Sequence, residues 1–258
     1  MLKKLVKAFT VGAILASQFA YAGDLDSIKE AKTIKIAVPQ DFPPFGSVSK
    51  DMSVQGYDID MANFIAKKLD VKLQLVPVTS ANRIPYLQTG KVDLIISSLG
   101  KNPEREKAID FSNTYAPFFL GVFGSKDVSV SNAAELSGKT IGVTRGSVED
   151  IELSKLVDSS VNVKRFEDNN TTISAYISGQ VKLIATGNVI VSDIATKHPN
   201  SAPEAKFAIK NSPCFIGMKK DQAELKQFIN DLISELKENG ELNKTSLKWL
   251  KADLPKDL

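Results

Sequence analysis

The apolar positions of the chain follow two alternating periods, one typical of strands and one typical of helices. Thr33–Val38 (TIKIAV) and Val92–Ile96 are short apolar runs that predict buried strands. Tyr57–Leu69 repeats apolar residues every three or four positions, which predicts a helix. Lys72–Val78 alternates like a strand, and Arg83–Gln88 reads as a short helix. This order of elements indicates a mainly parallel sheet with helices on both faces.

The same order of elements begins again in the second half of the chain. Predicted strands lie at 140–143, 161–166, 181–185 and 207–209, and predicted helices at 147–156, 171–178 and 188–196. A last segment carries Leu225, Phe228, Ile229, Leu232 and Leu236 at helical spacing. Because its apolar face needs a core to cover, we place this helix back on the first half.

We therefore predict an α/β fold of two lobes, each with a parallel-type sheet and helices on both faces. Lobe 1 is predicted to contain residues 23–118 and 213–258, and lobe 2 residues 119–212. The chain then crosses between the lobes twice, near Phe118–Gly124 and near Ser212–Gly217, which makes a hinge. The cleft between the lobes is the expected binding site, since ligands in open α/β sheets lie beyond the carboxyl ends of the strands.

The first 22 residues have the pattern of a secretion signal. MLKK is positively charged, AFTVGAILASQFA is apolar, and AYA supplies small residues before a break between Ala22 and Gly23. The apolar run is short for a membrane anchor, which is the alternative. We expect a signal peptide at 1–22, cleaved after Ala22, and a mature protein in the periplasm.

Charge, cysteine and histidine content argue against several classes of site. The formal charge of +3 falls to zero when Lys3, Lys4 and Lys7 of the signal segment are left out, so net charge gives no support for a nucleic-acid partner. Cys214 is the only cysteine and His198 the only histidine, and neither belongs to a cluster with metal-ligand spacing. We expect no metal, no cofactor and a monomer.

One predicted strand ends in an unusual group of polar residues. The stretch SSLGKNPEREKAIDFS, residues 97–112, follows the apolar run with Ser97, Ser98 and Gly100, and then brings in Arg105. The guanidinium of an arginine matches a carboxylate through two parallel hydrogen bonds. The stretch therefore indicates a carboxylate site, the alternative being a solvated surface cluster of Arg105 with neighbouring acidic residues.

Several motifs resemble the extracellular solute-binding proteins of ABC importers for polar amino acids. They are FPPF (42–45), GYDIDMANFIAKKL (56–69), IPYLQTGKVDLI (84–95), VDLIISSLGKNPEREKAIDFSNTYAPF (92–118), GKTIGVTRGSVED (138–150) and LKWL (247–250). The resemblance covers the whole mature chain. It implies a two-lobed binding protein that closes on a small ligand and delivers it to a membrane permease.

The resemblance also implies roles for residues on both sides of the cleft. Arg105 would hold the α-carboxylate of the ligand, helped by the backbone N–H groups of Gly100 and Val148. The helix start at Ser147 and Val148 would be the contribution of lobe 2, because free N–H groups at a helix start favour an anion. Ser98 would offer its carbonyl to an ammonium group.

Two aromatic residues would wall the ligand side chain by the same resemblance. They are Phe42, which precedes a diproline loop, and Tyr57 at the predicted start of a helix. The alternative is that both belong to the ordinary core. The diproline favours a loop, and so a cleft wall, for Phe42.

Three positions depart from the family pattern. Gly100 stands where the family often has Ser or Thr, and Pro39 where it often has Asp. Gly187 stands where lobe 2 usually supplies an Asp to the ligand's α-ammonium. An unpaired ammonium in a closed cleft is costly, so either another acid replaces the Asp or the ligand lacks an amine. The candidate replacements are Asp41, Glu149 and Asp168, with Asn188 as a neutral partner.

The segment VTSANRIPYLQTG, residues 78–90, resembles the binders of acidic amino acids. In those proteins the arginine of this motif, here Arg83 with Ser80 beside it, meets a side-chain carboxylate. The alternative is that Arg83 caps a surface helix. Two arginines in one cleft would suit a ligand with two carboxylates.

We expect a periplasmic binding protein for a carboxylate-bearing amino acid, with an acidic amino acid favoured, and no catalysis. The alternatives are a binder of an amine-free dicarboxylate, a periplasmic dehydratase of the same fold acting on a prephenate-like acid, and a sensory module that hands its ligand to a receptor.

Overall fold

The computed structural model describes residues 24–256 and 258, so the predicted signal peptide lies outside the described residues. The helices are α1 (Asp24–Ala31), α2 (Tyr57–Leu69), α3 (Arg83–Gln88), α4 (Pro103–Ala108), α5 (Val148–Leu156), α6 (Asn169–Ile177), α7 (Asn188–Lys197), α8 (Ala223–Glu238) and α9 (Glu241–Trp249). The strands are β1 (Thr33–Val38), β2 (Asp41–Phe42), β3 (Gly46–Val48), β4 (Val54–Gln55), β5 (Lys72–Pro77), β6 (Leu94–Leu99), β7 (Asp110–Ala116), β8 (Phe119–Gly124), β9 (Thr140–Thr144), β10 (Asn162–Phe166), β11 (Leu183–Gly187), β12 (Glu204–Asn211) and β13 (Cys214–Met218).

Two five-stranded sheets carry the fold, and they have the same plan. The first has the order β5-β1-β6-β13-β7 and the second the order β10-β9-β11-β8-β12. In each sheet the first three strands are parallel, and the fourth is antiparallel to both of its neighbours. The prediction of two α/β lobes is confirmed, and the structure adds one reversed strand to each sheet.

The reversed strands are the two segments where the chain passes from one sheet to the other. β8 follows β7 directly and enters the second sheet, while β13 follows β12 and returns to the first. The backbone N–H of Ser212 donates to the carbonyl of Phe118 at 2.9 Å, which ties the two connections together. No helix separates β7 from β8 or β12 from β13, and β8 and β13 are the antiparallel members of their sheets.

The sheet in lobe 1 is covered on both faces by buried apolar side chains. Ile34, Ile36 and Ile96 belong to a large cluster that also includes the apolar face of α2, while Ala37 and Ile95 point into a cluster under α3. The helix predicted from Leu225 to Leu236 is α8, and it packs against α1, α2 and β7 as expected. The bounds of the two lobes along the chain stay predictions. The strands of the first sheet fall within the range predicted for lobe 1, and those of the second sheet within the range predicted for lobe 2.

The predicted strand Val92–Ile96 begins and ends later in the structure, at Leu94 and Leu99. The extension takes Ser97 and Ser98 into the strand end, where they face the other lobe. The prediction did not include strands β2, β3, β4, β7, β8 and β13 or helices α1, α4 and α9. β8 and β13 contain glycines and coincide with the predicted crossings, so their pattern indicated a hinge rather than strands.

Candidate functional site

The carboxyl ends of the parallel strands in both sheets face one another across a narrow space. The chain leaves β1, β5 and β6 on one side and β9, β10 and β11 on the other. The space is a cavity of about 20 Å³, lined by Pro39, Phe42, Val78, Ser80, Arg83, Ser97, Ser98, Phe118, Ser147, Val148, Glu149 and Asn169. The volume is about that of one water molecule. The site is therefore formed by residues of both lobes and is closed.

Arg83 lies at the first position of α3 and points into this cavity. Only 4% of the residue is exposed. One terminal N–H of its guanidinium donates to the carbonyl of Ser97, while its Nε–H has no partner. Burial lowers the pKa of Arg83, and the charges of Glu149 and Asp58 work against that shift. Arg83 is thus a buried cation with a free donor, and not the surface helix cap that the sequence left open.

Arg105 is held by α4, a helix of only six residues. The side chain of Asn102 accepts a hydrogen bond from the backbone N–H of Arg105 at 2.9 Å and so caps the helix. The guanidinium donates to the carbonyl of Gly100 at 2.7 Å and, across the cleft, to the carbonyl of Gly146 at 3.1 Å. Burial, and then the nearby charge of Arg83, lower the pKa of Arg105 to about 9. Arg105 is buried beside the cavity without lining it.

Ser98 is oriented by a buried acid that the sequence analysis did not single out. Its backbone has a φ of 42°, which is rare for a residue other than glycine. The N–H of Ser98 donates to Asp58 at 2.7 Å, and the hydroxyl of Tyr115 donates to the same carboxyl at 2.6 Å. Burial raises the pKa of Asp58 to about 7, although these two donors and Arg83 act in the opposite direction. Asp58 therefore fixes the backbone of Ser98 at the end of β6, where Ser98 lines the cavity.

The sequence did carry a signal for Asp58. The residue is the second of α2 and stands at helical spacing with Ala62, Ile65 and Leu69 on the buried face. An acid on the apolar stripe of an amphipathic helix must be paired with donors when the stripe is buried.

The start of α5 supplies the polar groups of lobe 2. The hydroxyl of Ser147 accepts from the backbone N–H of Asp150 at 3.1 Å and caps the helix, and Val148 and Glu149 follow. All three line the cavity. Glu149 is only 6% exposed, and burial raises its pKa, while hydrogen bonds to its own backbone and to Ser147 act against the shift. The helix start thus combines N–H groups with a buried carboxyl group.

Gly187 lies at the end of β11 beneath the ring of Phe118. A Cβ at this position would lie 2.9 Å or closer from three carbons of that ring. Phe118 also packs against Phe42 and Phe45, with ring centroids 6.0 and 5.7 Å away. The space that an Asp side chain would occupy in the family pattern is therefore filled by an aromatic ring.

Gly100 is also covered by neighbouring side chains. A Cβ there would lie 2.5 Å from Oγ of Ser212 and 3.2 Å from Cγ1 of Val148. The structure does not bring Gly100 into the cavity lining, and its carbonyl is used by Arg105.

The two predicted aromatic walls lie at different depths. Phe42 lines the cavity and stacks on Phe45. Tyr57 lies one layer behind, with its hydroxyl donating to the carbonyl of Tyr115 at 2.8 Å and its ring 5.8 Å from that of Phe45. The structure therefore places Phe42 at the cavity and Tyr57 in the core that supports it.

Direct contacts hold the lobes together around the cavity. Asp41 of lobe 1 accepts from the backbone N–H of Asn169 at 2.8 Å and from its side-chain amide at 3.2 Å. Gly146 approaches the backbone of Ala81 so closely that a Cβ would lie 3.1 Å from its Cα. The two acids that were alternatives to Glu149 are thus occupied elsewhere: Asp41 bonds to Asn169, and Asp168 caps α6 by accepting from Thr171 at 2.7 Å.

Metal and membrane features are absent from the part of the chain that the structure describes. No group of His, Cys, Asp and Glu side chains in residues 24–256 and 258 could hold a metal ion. No helix in this part combines the length and the apolar character that a bilayer requires.

Comparisons with known proteins agree with this architecture. The chain is 31% identical to the ABC transporter glutamine-binding protein GlnH of Bacillus subtilis, over 92% of this chain and 88% of the relative. It is 27% identical to the glutamate/aspartate import solute-binding protein of Escherichia coli, over 97% of this chain and 88% of the relative. The crystal structure of a cysteine-binding protein from Campylobacter jejuni superposes with a TM-score of 0.83 at 29% identity, covering 92% of this chain and 96% of that one.

The curated relatives are binding proteins of transport systems, and this chain is a solute-binding protein rather than an enzyme. Residues 34–252 match the family described as bacterial extracellular solute-binding proteins, family 3. With nearly the whole described chain inside the match, the protein belongs to this family of solute-binding proteins.

Proposed function

We propose that the protein binds an acidic amino acid in the periplasm and delivers it to an ABC importer. The observation that carries this proposal is Arg83, a cation buried in the cavity wall with an unpaired Nε–H. Relatives with the same fold have different ligands by name, among them glutamine, glutamate or aspartate, and cysteine. A second buried arginine next to Arg105 favours the acidic ligands of this set, because they carry two carboxylates.

Arg105 would bind the α-carboxylate and Arg83 the side-chain carboxylate. In the closed structure one N–H group of Arg105 donates to the carbonyl of Gly146 in the opposite lobe. When the lobes separate, this donor becomes free on lobe 1 and can receive a carboxylate instead. The N–H groups at the start of α5 would then meet the same carboxylate from lobe 2.

The size of the cavity supports a mechanism of opening and closing. A space of about 20 Å³ admits no amino acid, so the ligand must enter when the lobes are apart. The ligand would bind to lobe 1 first and favour a closed state by contacting lobe 2. The closed, ligand-bound form would be the one presented to the permease.

Isothermal titration calorimetry with L-glutamate, L-aspartate, L-glutamine, L-cysteine and L-arginine tests the ligand class. We expect the wild-type protein to prefer the two acidic amino acids. Arg83→Ala should weaken them by at least about 30-fold, since it removes one partner of a buried charge pair. Arg145→Ala is the matched control, because Arg145 is an exposed arginine near the cleft whose side chain is 53% accessible.

If L-glutamine binds tightly and with the same affinity to the wild type and to Arg83→Ala, the acidic specificity is contradicted. The function as a solute-binding protein would not be affected by that result. A second candidate, an amine-free dicarboxylate, is favoured by one observation: Phe118 fills the place of the acid that would pair with an ammonium. Binding of succinate or glutarate in preference to every amino acid in the panel would support that candidate.

A further inference from the structure

Among the described residues that line the cavity, Glu149 is the only acidic one. Its carboxyl group is buried, and burial raises its pKa, while hydrogen bonds from its own backbone and from Ser147 and the charges of Arg83 and Arg105 in the opposite lobe act against that shift. No ion pair of 4 Å or less joins Glu149 to Arg83 or Arg105 in the described part of the chain. The carboxyl group is therefore held at the cavity without a direct cationic partner.

The other acids near the cleft are committed to structural contacts. Asp41 bonds to Asn169 across the cleft, and Asp168 caps α6. Asp58 receives hydrogen bonds from Ser98 and from Tyr115 in the core behind the cavity. An acid placed at position 187 would collide with Phe118. Among the described residues, Glu149 thus supplies the one carboxyl group that lines the cavity, and its hydrogen bonds, to Ser147 and to its own backbone, lie within the start of α5.

The position of Glu149 suits the amine of an α-amino acid. The amine and the carboxylate of such a ligand are attached to the same carbon atom, so the groups that bind them must be close together. Glu149 directly follows Val148, whose N–H is expected to meet the carboxylate. Ser98 lines the cavity from lobe 1 and can offer a second acceptor to the amine.

We propose that Glu149 is the residue that binds the α-ammonium group of the ligand, and that it takes over the role of the acid missing at Gly187. The proposal rests on the proposed function as an amino-acid-binding protein, and it holds for an acidic or a neutral amino acid. The acid that binds the ammonium group then lies at the start of α5 and not at the end of β11. The space next to Gly187 is occupied by the ring of Phe118.

The test compares each amino acid with its amine-free analogue. Calorimetry of Glu149→Gln should show L-glutamate weakened by about 10- to 100-fold, the loss of one charge-assisted hydrogen bond, with glutarate unchanged or tighter. Glu149→Asp, which keeps the charge on a shorter side chain, should bind L-glutamate better than Glu149→Gln does. Thermal unfolding of the ligand-free variants establishes that each is folded.

Glu152→Gln is the matched control, because it removes the same charge one turn further along α5, outside the cavity lining. It should leave the ratio of the affinities for L-glutamate and glutarate unchanged, because the charge of Glu152 acts on Arg105 and so on the carboxylate that both ligands share. An equal loss for both ligands in Glu149→Gln, or no loss for either, would overturn the proposal.

The test of Glu149 can be separated from the test of the preference for acidic amino acids. If the wild-type protein prefers L-glutamine, the same comparison is made with L-glutamine and glutaramate, and selective loss of L-glutamine in Glu149→Gln still supports the role of Glu149. A wild-type protein that binds glutarate and no amino acid would overturn both the proposal and the function on which it rests.

Discussion

Two glycines at strand ends beside the cavity leave room for side chains of the crossing segments. Gly187 and Gly100 both have ordinary backbone angles, so conformational freedom does not account for them. Each is instead covered by a side chain from a crossing segment, Phe118 in one case and Ser212 in the other. The site is thus shaped by contacts between the hinge and the strand ends.

We expect Gly187→Asp to lower the free energy of unfolding. The new carboxylate cannot bind a ligand ammonium group without displacing the ring of Phe118. The new side chain would displace the Phe118 ring, and overpacking of this kind typically costs about 1–3 kcal/mol in the free energy of unfolding. Urea denaturation measures the loss. Adding Phe118→Ala to the variant makes room for the carboxylate, and the double variant should be destabilised by less than the sum of the two single changes. Wild-type stability in Gly187→Asp would show that the ring does not fill this space.

Asp58 should make stability depend on pH. Its pKa is raised to about 7 in the folded protein from an ordinary value of 3.8, so the folded state holds the proton more tightly than the unfolded state. This contribution to stability is full below about pH 4 and is lost as the pH rises through 7. Between pH 5 and pH 8 the loss is about 2–3 kcal/mol.

Denaturation of the wild-type protein and of Asp58→Asn across this range checks the effect. The difference between their free energies of unfolding should shift in favour of Asp58→Asn as the pH rises. A constant difference would mean that Asp58 does not titrate in this window. The comparison removes the contributions of other titrating groups, which both proteins share.

At the scale of elements, the site depends on short helices that begin at strand ends. α3, α4 and α5 each start within a few residues of the cleft, and each carries one charged group of the site, Arg83, Arg105 or Glu149. A helix of six residues is only marginally stable by itself, so its cap and its tertiary contacts keep it formed.

The cap of α4 should therefore affect binding through Arg105. Asn102→Ala removes the acceptor for the backbone N–H of Arg105 and is expected to cost about 0.5–2 kcal/mol of stability. Ligand affinity should fall as well, while Asn102→Asp, which can still cap, should retain most of it. Asn132→Ala is the control, because Asn132 caps a short turn of 3-10 helix in lobe 2, outside the cavity lining. An equal effect of both alanine variants on affinity would argue against a positioning role for Asn102.

At the scale of the whole molecule, polar contacts between the lobes add to an apolar cluster that contains described residues of both lobes. Asp41 with Asn169 and Arg105 with Gly146 are the buried or half-buried ones, and the ion pair of Lys155 with Glu104 is exposed. Exposed pairs contribute little, so the first two are the polar contacts that favour the closed state most. A hinge of two connections allows the lobes to separate once these contacts are broken.

We expect Asp41→Ala to shift the ligand-free protein towards the open form. The substitution removes both hydrogen bonds to Asn169, and small-angle scattering should then give a larger radius of gyration than for the wild type. Affinity should fall about 10-fold, because the ligand must supply more of the free energy of closure. Asp127→Ala, which breaks an exposed pair with Lys182, is the control. An unchanged radius of gyration in Asp41→Ala would mean that other contacts keep the cleft closed.

The sequence by itself determined the two-lobed α/β plan and several of its elements. The periods of the apolar residues gave β1, α2 and α3 with the bounds that the structure has, because these elements are set by local spacing and by burial of one face. The motifs around Arg105 and Arg83 indicated that both arginines belong to the binding site, because each motif is a continuous stretch of the chain.

Only the tertiary structure decided how those residues are used. The burial of Asp58 depends on Ser98 and Tyr115, and the covering of Gly187 depends on Phe118, all of them distant in the chain. The assignment of Asp41 to Asn169 and the position of Glu149 likewise depend on the closure of two lobes. Local patterns record which face of an element is apolar, whereas the neighbours that fill a space or satisfy a charge are set by the packing of the complete chain.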